Sequence, residues 1–176
     1  MLSASQNLFL VKMMSIEMLK ELVEAFEKNK ITYQIVAGFG IDALRGTLSK
    51  VHNDVDMLVL RKDYSKIKLI IEKLGYSGEI VVGRFKISRK DGAKADLEMI
   101  TIVGNEIVIE GKVKTTKIPL ELFKKNQKVS LNGVSLNVSS NEILKLFAIY
   151  DRKSNALEFM NKFLINQELF DKITRS

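Results

Sequence analysis

Asp54 and Asp56 stand on alternate residues of His52-Asn53-Asp54-Val55-Asp56, directly before the apolar run Met57-Leu58-Val59-Leu60. Such a run reads as a strand, Asp54 to Leu60, covered on both faces. Residues two apart on a strand project to the same side, so the two carboxylates face together. Without partners they would repel each other and be costly to desolvate. A divalent cation removes both costs, and a phosphate-bearing substrate is the usual reason to hold one there. Further along, Asp96 lies in Ala95-Asp96-Leu97-Glu98-Met99-Ile100, a second β-like apolar segment. Glu98 shares the strand face of Asp96 and is the rival third acid. Upstream, Ala37-Gly38-Phe39-Gly40 turns from a strand into a helix. Backbone amides at a helix start receive phosphate oxygens, and glycine permits the close approach. The basic residues Lys50, Arg84 and Lys86 lie among these segments.

The composition restricts what such a site can hold. There is no cysteine and a single histidine, His52. Disulfides, thiolate zinc sites and any site needing two imidazoles are therefore excluded. A metal must be held mainly by oxygen, which favours Mg²⁺ or Mn²⁺. The chain has 176 residues, 46% hydrophobic and 28% charged, with one proline. That describes an ordered soluble protein with one well-buried domain, or a core with a helical appendage. No apolar run approaches a membrane span. The N-terminus MLSASQNLFLVKMMS has no basic leader or cleavage site. It reads as a fraying lead-in to the first helix, not as an export signal, and a cytoplasmic protein is expected. The net charge of +7 suggests a polyanionic partner, a nucleotide or RNA, against the plainer alternative of a solvated lysine-rich surface.

The elements that must position these residues follow from periodicity. Met18, Leu19, Leu22, Val23 and Phe26 recur at helical spacing, with Ser15 as cap and Glu17 in the first turn. Tyr33 to Val36 is a strand, and a short helix spans Ile41 to Arg45. Asp63 caps a helix with the stripe Ile67, Ile70, Ile71 and Leu74, stopped by Gly75. Strands follow at Glu79 to Val82, Arg84 to Ser88, Lys94 to Ile102 and Glu106 to Glu110, with a turn at Lys90-Asp91-Gly92. Pro119 suits the first turn of a helix from Leu120 to Lys125. Asn132-Gly133 joins two strands in a two-residue hairpin. Ser139-Ser140-Asn141-Glu142 reads as a capping box opening a helical tail to about residue 173.

In this order and register the motifs resemble the nucleotidyltransferase superfamily, the polymerase-β-like fold. The likeness is greatest to the small lincosamide and aminoglycoside nucleotidyltransferases, over about residues 17 to 103. Their pattern is a strand, Gly-Gly-Trp-x-x-Asp, a glycine, His-x-Asp-x-Asp, and a later strand with a third Asp. Here Ala37 and Gly38 stand for the glycine pair, Phe39 for the tryptophan and Asp42 for the aspartate. Gly46 stands for the single glycine, and His52, Asp54, Asp56 and Asp96 follow in place. Arg84 stands where these proteins often carry arginine. The chain departs from the pattern at Ala37, at Val51, which is often acidic in relatives, and in Tyr150-Asp151-Arg152-Lys153-Ser154, where Ser154 lacks the expected acid.

The resemblance implies an α+β fold with a mixed central sheet flanked by helices and a helical C-terminal tail. Residues 1–176 would form a single domain, with a catalytic core at about 15–103 and a hairpin and helical part at about 104–176. It implies metal-dependent transfer of an NMP, by family default AMP from ATP, to a hydroxyl of a small acceptor, releasing pyrophosphate. Asp54, Asp56 and Asp96 would hold Mg²⁺ or Mn²⁺, with Asp96 as general base. Ala37, Gly38, Phe39, Gly40, Asp42, Lys50, His52 and Arg84 would contact the nucleotide, with Arg84 and Lys50 neutralising the triphosphate. Asp42 and His52 have a second reading, as braces of the loop before the acidic strand. A basic protein is a poor host for polycationic aminoglycosides. An uncharged antibiotic, another small hydroxyl compound, a protein side chain or an RNA 3′ end remain as acceptors. RNA stands second because no aromatic-rich stretch is present to stack bases. The alternative outside enzymology is a non-catalytic nucleotidyltransferase-fold module, such as half of a toxin–antitoxin pair.

Overall fold

Met18, Leu22 and Phe26 form the buried stripe of helix α1 (Ala4–Lys28) in a computed structural model that describes residues 4–49, 51–111, 115–150 and 154–175. The helix does not start at Ser15. Residues from Ala4 onward are already helical, and Ser15 sits inside the helix, where its buried hydroxyl donates to the His52 carbonyl at 2.7 Å. Lys50 and the segment Asp151-Arg152-Lys153 lie outside the described residues.

After α1 come β1 (Tyr33–Ile35), α2 (Ala37–Arg45), β2 (Val55–Leu60) and α3 (Tyr64–Lys73). Then follow β3 (Ser77–Val81), β4 (Arg84–Ser88), β5 (Lys94–Val103), β6 (Glu106–Glu110), β7 (Thr115–Pro119) and α4 (Leu120–Lys124). The chain continues through β8 (Gln127–Leu131), β9 (Val134–Val138), α5 (Asn141–Tyr150), α6 (Ser154–Met160) and α7 (Gln167–Arg175). The strands join one mixed sheet in the order β3-β4-β5-β2-β1-β9-β8, with β6 on the far half of β5 and β7 on β6. The β2–β5 and β1–β9 pairings are parallel and the others antiparallel. This is the α+β arrangement expected from the sequence, a mixed sheet with helices.

Register assigns the two faces of the sheet. Tyr33 pairs with Val59 and Ile35 with Met57. Met57 pairs with Leu97, and Leu97 with Phe85. These apolar residues share one side and are buried. Phe26 of α1 meets Tyr33 there at 6.0 Å between ring centroids, and Tyr64 of α3 meets Phe85 edge-on at 5.3 Å. The apolar side is thus sealed by α1 and α3. Arg89, in the β4–β5 turn, ties this hairpin to α1 through Glu17 and Glu21, and bonds Asp91 within the turn.

Several elements differ locally from the sequence reading. Asp63 makes no capping bond; a 3-10 turn, Arg61–Asp63, leads into α3 instead. Strand β7 (Thr115–Pro119) has no place in the sequence reading, although Thr115, Thr116 and Ile118 are β-branched, and it pairs with β6. The capping box at α5 is half made. Ser140 Oγ accepts from the Ile143 amide at 3.4 Å, but Glu142 accepts from the Asn166 amide at 2.8 Å. The tail is accordingly a set of short helices docked to one another. The Asn132-Gly133 turn has positive φ at both residues, 50° and 80°, as a two-residue hairpin requires. Among the described residues no helix is long and apolar enough to cross a membrane.

Candidate active site

The second face of the sheet is polar at its centre, and strand alternation puts it there. Asp56 pairs in register with Asp96 across the parallel strands β2 and β5. Lys86 pairs with Asp96, and Glu79 with Lys86. One step deeper the row reads Gln34, Leu58, Glu98, Arg84. Asp56 and Asp96 therefore lie side by side on one face, half-buried. Strand β2 begins at Val55, one residue later than its sequence suggests. Asp54 sits in the exposed bend before it, at the mouth of the row.

The cations of β4 answer these acids. Arg84 Nη1 and Lys86 Nζ each stand 3.7 Å from Asp96 Oδ2. Lys94, two residues before Asp96 on the same strand face, makes no ion pair among the described residues. Arg84 Nε also bonds Glu98 Oε1. Glu98 is only 6% exposed, and its other oxygen has no hydrogen-bond partner. Burial pushes the Glu98 carboxyl up from its ordinary range, against the opposing pull of Arg84. Of the two candidates for third acid, Asp96 is the one in register with Asp56, and Glu98 is the one clasped by arginine.

The glycine turn lies on the other side of β2. The Val36 amide donates to the Asp56 carbonyl at 3.1 Å, which brings the start of α2 beside the acidic row. No side chain caps α2, so its first amides have no intrahelical acceptor. Only Gly38 of this turn is partly exposed; Ala37, Phe39 and Gly40 are buried. Ala37 has φ of 49°, in the left-handed region that a glycine would occupy at less cost. A Cβ on Gly38 would meet His52 Nδ1 at 2.4 Å, so Gly38 is open to one side only because the imidazole fills the other. Gly40 is a packing glycine, since a Cβ there would meet Leu144 of α5 at 2.6 Å.

Phe39, Gly40, Asp42 and His52, expected from the sequence to contact the nucleotide, are buried. His52 packs against Phe39 with ring centroids 4.3 Å apart and planes tilted by 40°, and its Nε2 donates to Asp42 Oδ2 at 2.7 Å. Asp42 also accepts from the Ser49 amide and hydroxyl at 2.9 and 2.6 Å. Burial opposes its charge, but the bonds from His52 and Ser49 outweigh this and hold its carboxyl below the usual range. The pair braces the loop from α2 to the acidic strand. The Ser15 and Gln34 contacts escape sequence reading altogether. Gln34 donates to the Phe123 carbonyl at 2.5 Å and accepts from Ser139 at 2.7 Å, covering the β1 end of this face.

Beside Asp96, away from the glycine turn, a cleft of about 470 Å³ opens over β3, β4 and the start of β5. Ser77, Glu79, Lys86, Ser88, Lys94 and Asp96 contribute to its lining. The β4–β5 turn could have predicted this grouping. Counting outward from it sets Ser88 opposite Lys94 and Lys86 opposite Asp96. Among the described residues no three His, Asp or Glu side chains are gathered closely enough to hold an ion as they stand. The acidic row supplies two in-register carboxylates with a third at its mouth, an all-oxygen donor set suited to Mg²⁺ or Mn²⁺.

Known proteins share this fold. A family model described as aminoglycoside-2''-adenylyltransferase matches residues 18–154. A lincosamide resistance protein of Staphylococcus haemolyticus is 25% identical over 83 residues, 46% of this chain; the chain spans 52% of that relative's length. The crystal structure of lincosamide antibiotic adenylyltransferase LnuA with lincomycin bound is similar at TM-score 0.64 and 20% identity, covering 81% of this chain and 95% of that one. ANT(2'')-Ia in complex with adenylyl-2''-tobramycin is similar at TM-score 0.70 and 15% identity, covering 91% and 97%. These structural likenesses show a shared fold.

Proposed function

Since the chain belongs to the aminoglycoside-2''-adenylyltransferase family, we propose that it is a nucleotidyltransferase that moves the AMP of ATP to a hydroxyl of a small-molecule acceptor. The observation that carries this reading is the register pair Asp56–Asp96 beside the Gly38 turn. Asp54, Asp56 and Asp96 would hold Mg²⁺ or Mn²⁺, which when bound offsets the charge of the triphosphate. The phosphates would lie against the Gly38 end of α2, where backbone amides are uncapped. The cleft on the β3–β5 side lies across the acidic row from that turn and would admit the acceptor. A hydroxyl entering there approaches the α-phosphorus opposite the departing pyrophosphate. Its oxygen forms a bond to phosphorus as the α–β bridging bond breaks, and its proton passes to Asp96. Arg84 and Lys86 face the same row and would stabilise the charge that develops in transfer. Phe39, Asp42 and His52 act as positioning residues that hold the turn and the acidic strand together.

Incubation with α-labelled ATP, Mg²⁺ and a panel of hydroxyl acceptors, including lincosamides, aminoglycosides and an RNA 3′ end, tests the reading. Label should transfer to a small acceptor, and transfer should vanish in Asp56→Asn. Transfer that persists in that variant, or label that goes only to RNA, overturns it.

A further inference from the structure

Glu98 is the buried acid of β5 that the proposed reaction does not use. It stands directly opposite Arg84 in the antiparallel β4–β5 register, and Asp96 stands directly opposite Lys86. Arg84 therefore reaches two carboxylates, Glu98 across the strands and Asp96 on the diagonal. It serves them unequally. Its Nε donates to Glu98 Oε1, whereas its Nη1 stays 3.7 Å from Asp96 Oδ2, as does Lys86 Nζ. Both distances to Asp96 are longer than a hydrogen bond. Burial accounts for the difference. The Glu98 side chain is 8% exposed and that of Asp96 17%, so Glu98 gives up more hydration and gains more from a bonded donor. The backbone that leads into Arg84 is pinned. The Met99 amide donates to the Gly83 carbonyl at 2.9 Å, and a Cβ on Gly83 would meet the Glu110 carbonyl oxygen at 2.4 Å. The Arg84 side chain, 47% exposed, keeps room to swing. Without the charge of Glu98, the carboxylate left within its reach is Asp96.

We propose that Glu98 is a positioning residue: it holds the Arg84 guanidinium and so keeps the Asp96 carboxylate open to a divalent cation. This rests on the nucleotidyltransferase reading above, in which Asp96 faces that cation. Glu98 acts through Arg84 and is not itself a ligand, so the two acids of β5 have different tasks.

Two NMR measurements on the full chain test this, both without nucleotide, so that no contact of Arg84 with phosphate enters. The first needs no metal. The Arg84 side-chain Nε–Hε resonance should move further in Glu98→Gln than in Asp96→Asn, and an equal or smaller shift overturns the proposal. The second titrates Mn²⁺ alone and reads its affinity from paramagnetic broadening of the Asp56 and Asp96 amides. Glu98→Gln keeps the shape of the side chain and should weaken Mn²⁺ about three- to tenfold, because the released guanidinium then pairs with Asp96. The double variant Arg84→Ala/Glu98→Gln should regain the wild-type affinity, since the competing cation is gone. Unchanged affinity in Glu98→Gln overturns the proposal. A double variant that stays weak also overturns it, because Glu98 would then be a ligand in its own right. Both of these failures leave the cation site standing. Broadening of neither amide in the wild type would instead overturn the cation site itself, and with it the reading on which this inference rests.

Discussion

Replacing Gly38 with alanine sets a Cβ at 2.4 Å from His52 Nδ1 and 2.5 Å from its Cε1. The ring has little freedom to retreat. Its Nε2 is held by Asp42 at 2.7 Å, it packs against Phe39 with ring centroids 4.3 Å apart, and its carbonyl is held by Ser15. Either the imidazole is displaced and a bond to a buried carboxylate is lost, or the start of α2 shifts. Overpacking of this kind costs about 1–3 kcal/mol, and a hydrogen bond to a charged group about 1.5–3 kcal/mol. The two are alternatives, so a loss of about 2 kcal/mol is expected, or roughly 4–8 °C in Tm for a domain of this size. Urea unfolding of the wild type, Gly38→Ala, His52→Ala and the double variant closes a thermodynamic cycle. Removing the ring removes the collision, so the double variant should cost at least about 1 kcal/mol less than the sum of the single ones. A Gly38→Ala cost below about 0.5 kcal/mol, or additive costs, would refute the view that the imidazole dictates glycine at this position.

Other perturbations follow from the same site. Ala37→Gly should raise stability by about 0.5–1 kcal/mol in urea unfolding, because it removes the left-handed strain at φ of 49°. The folded Asp42 carboxyl lies below its ordinary value, with burial opposed and outweighed by bonds from His52 and Ser49 and with Arg45 also facing it at 3.4 Å. Its contribution is therefore present above the unfolded carboxylate value and lost as pH falls through the folded one. The stability gap between wild type and Asp42→Asn should be full above about pH 5 and should narrow below about pH 4 in denaturant titrations. Arg84→Ala leaves the buried Glu98 without its cation. Because Arg84 is 47% exposed, the loss should be about 1–2 kcal/mol, below that of a fully buried pair, and Glu98→Gln in the same chain should restore most of it.

The fold and the family were legible because their signals are local and ordered. An apolar run behind Asp-x-Asp, a glycine turn before a helix and the Asn132-Gly133 hairpin each state their own conformation. The neighbour of Asp56 is set by β2–β5 register, which sequence can suggest only through the order of motifs. What escaped was the direction in which short-range motifs point. Gly40 packs against Leu144 and Phe39 against His52, long-range contacts that the local motif does not announce. Ser15 has the type of a cap, yet its partner is a carbonyl 37 residues away. Strand β7 is only 5 residues long and ends in Pro119, so its β-branched residues are too short a signal without the pairing to β6.

In the proposed reaction, cation and nucleotide meet at the acidic row. Calorimetric titration with α,β-methylene-ATP, with and without Mg²⁺, measures this directly in the wild type, Asp56→Asn and Asp96→Asn. Binding should require the metal in the wild type and should be lost in both variants, with their thermal unfolding showing them folded. Affinity that is the same without Mg²⁺, or that survives in both variants, would contradict it.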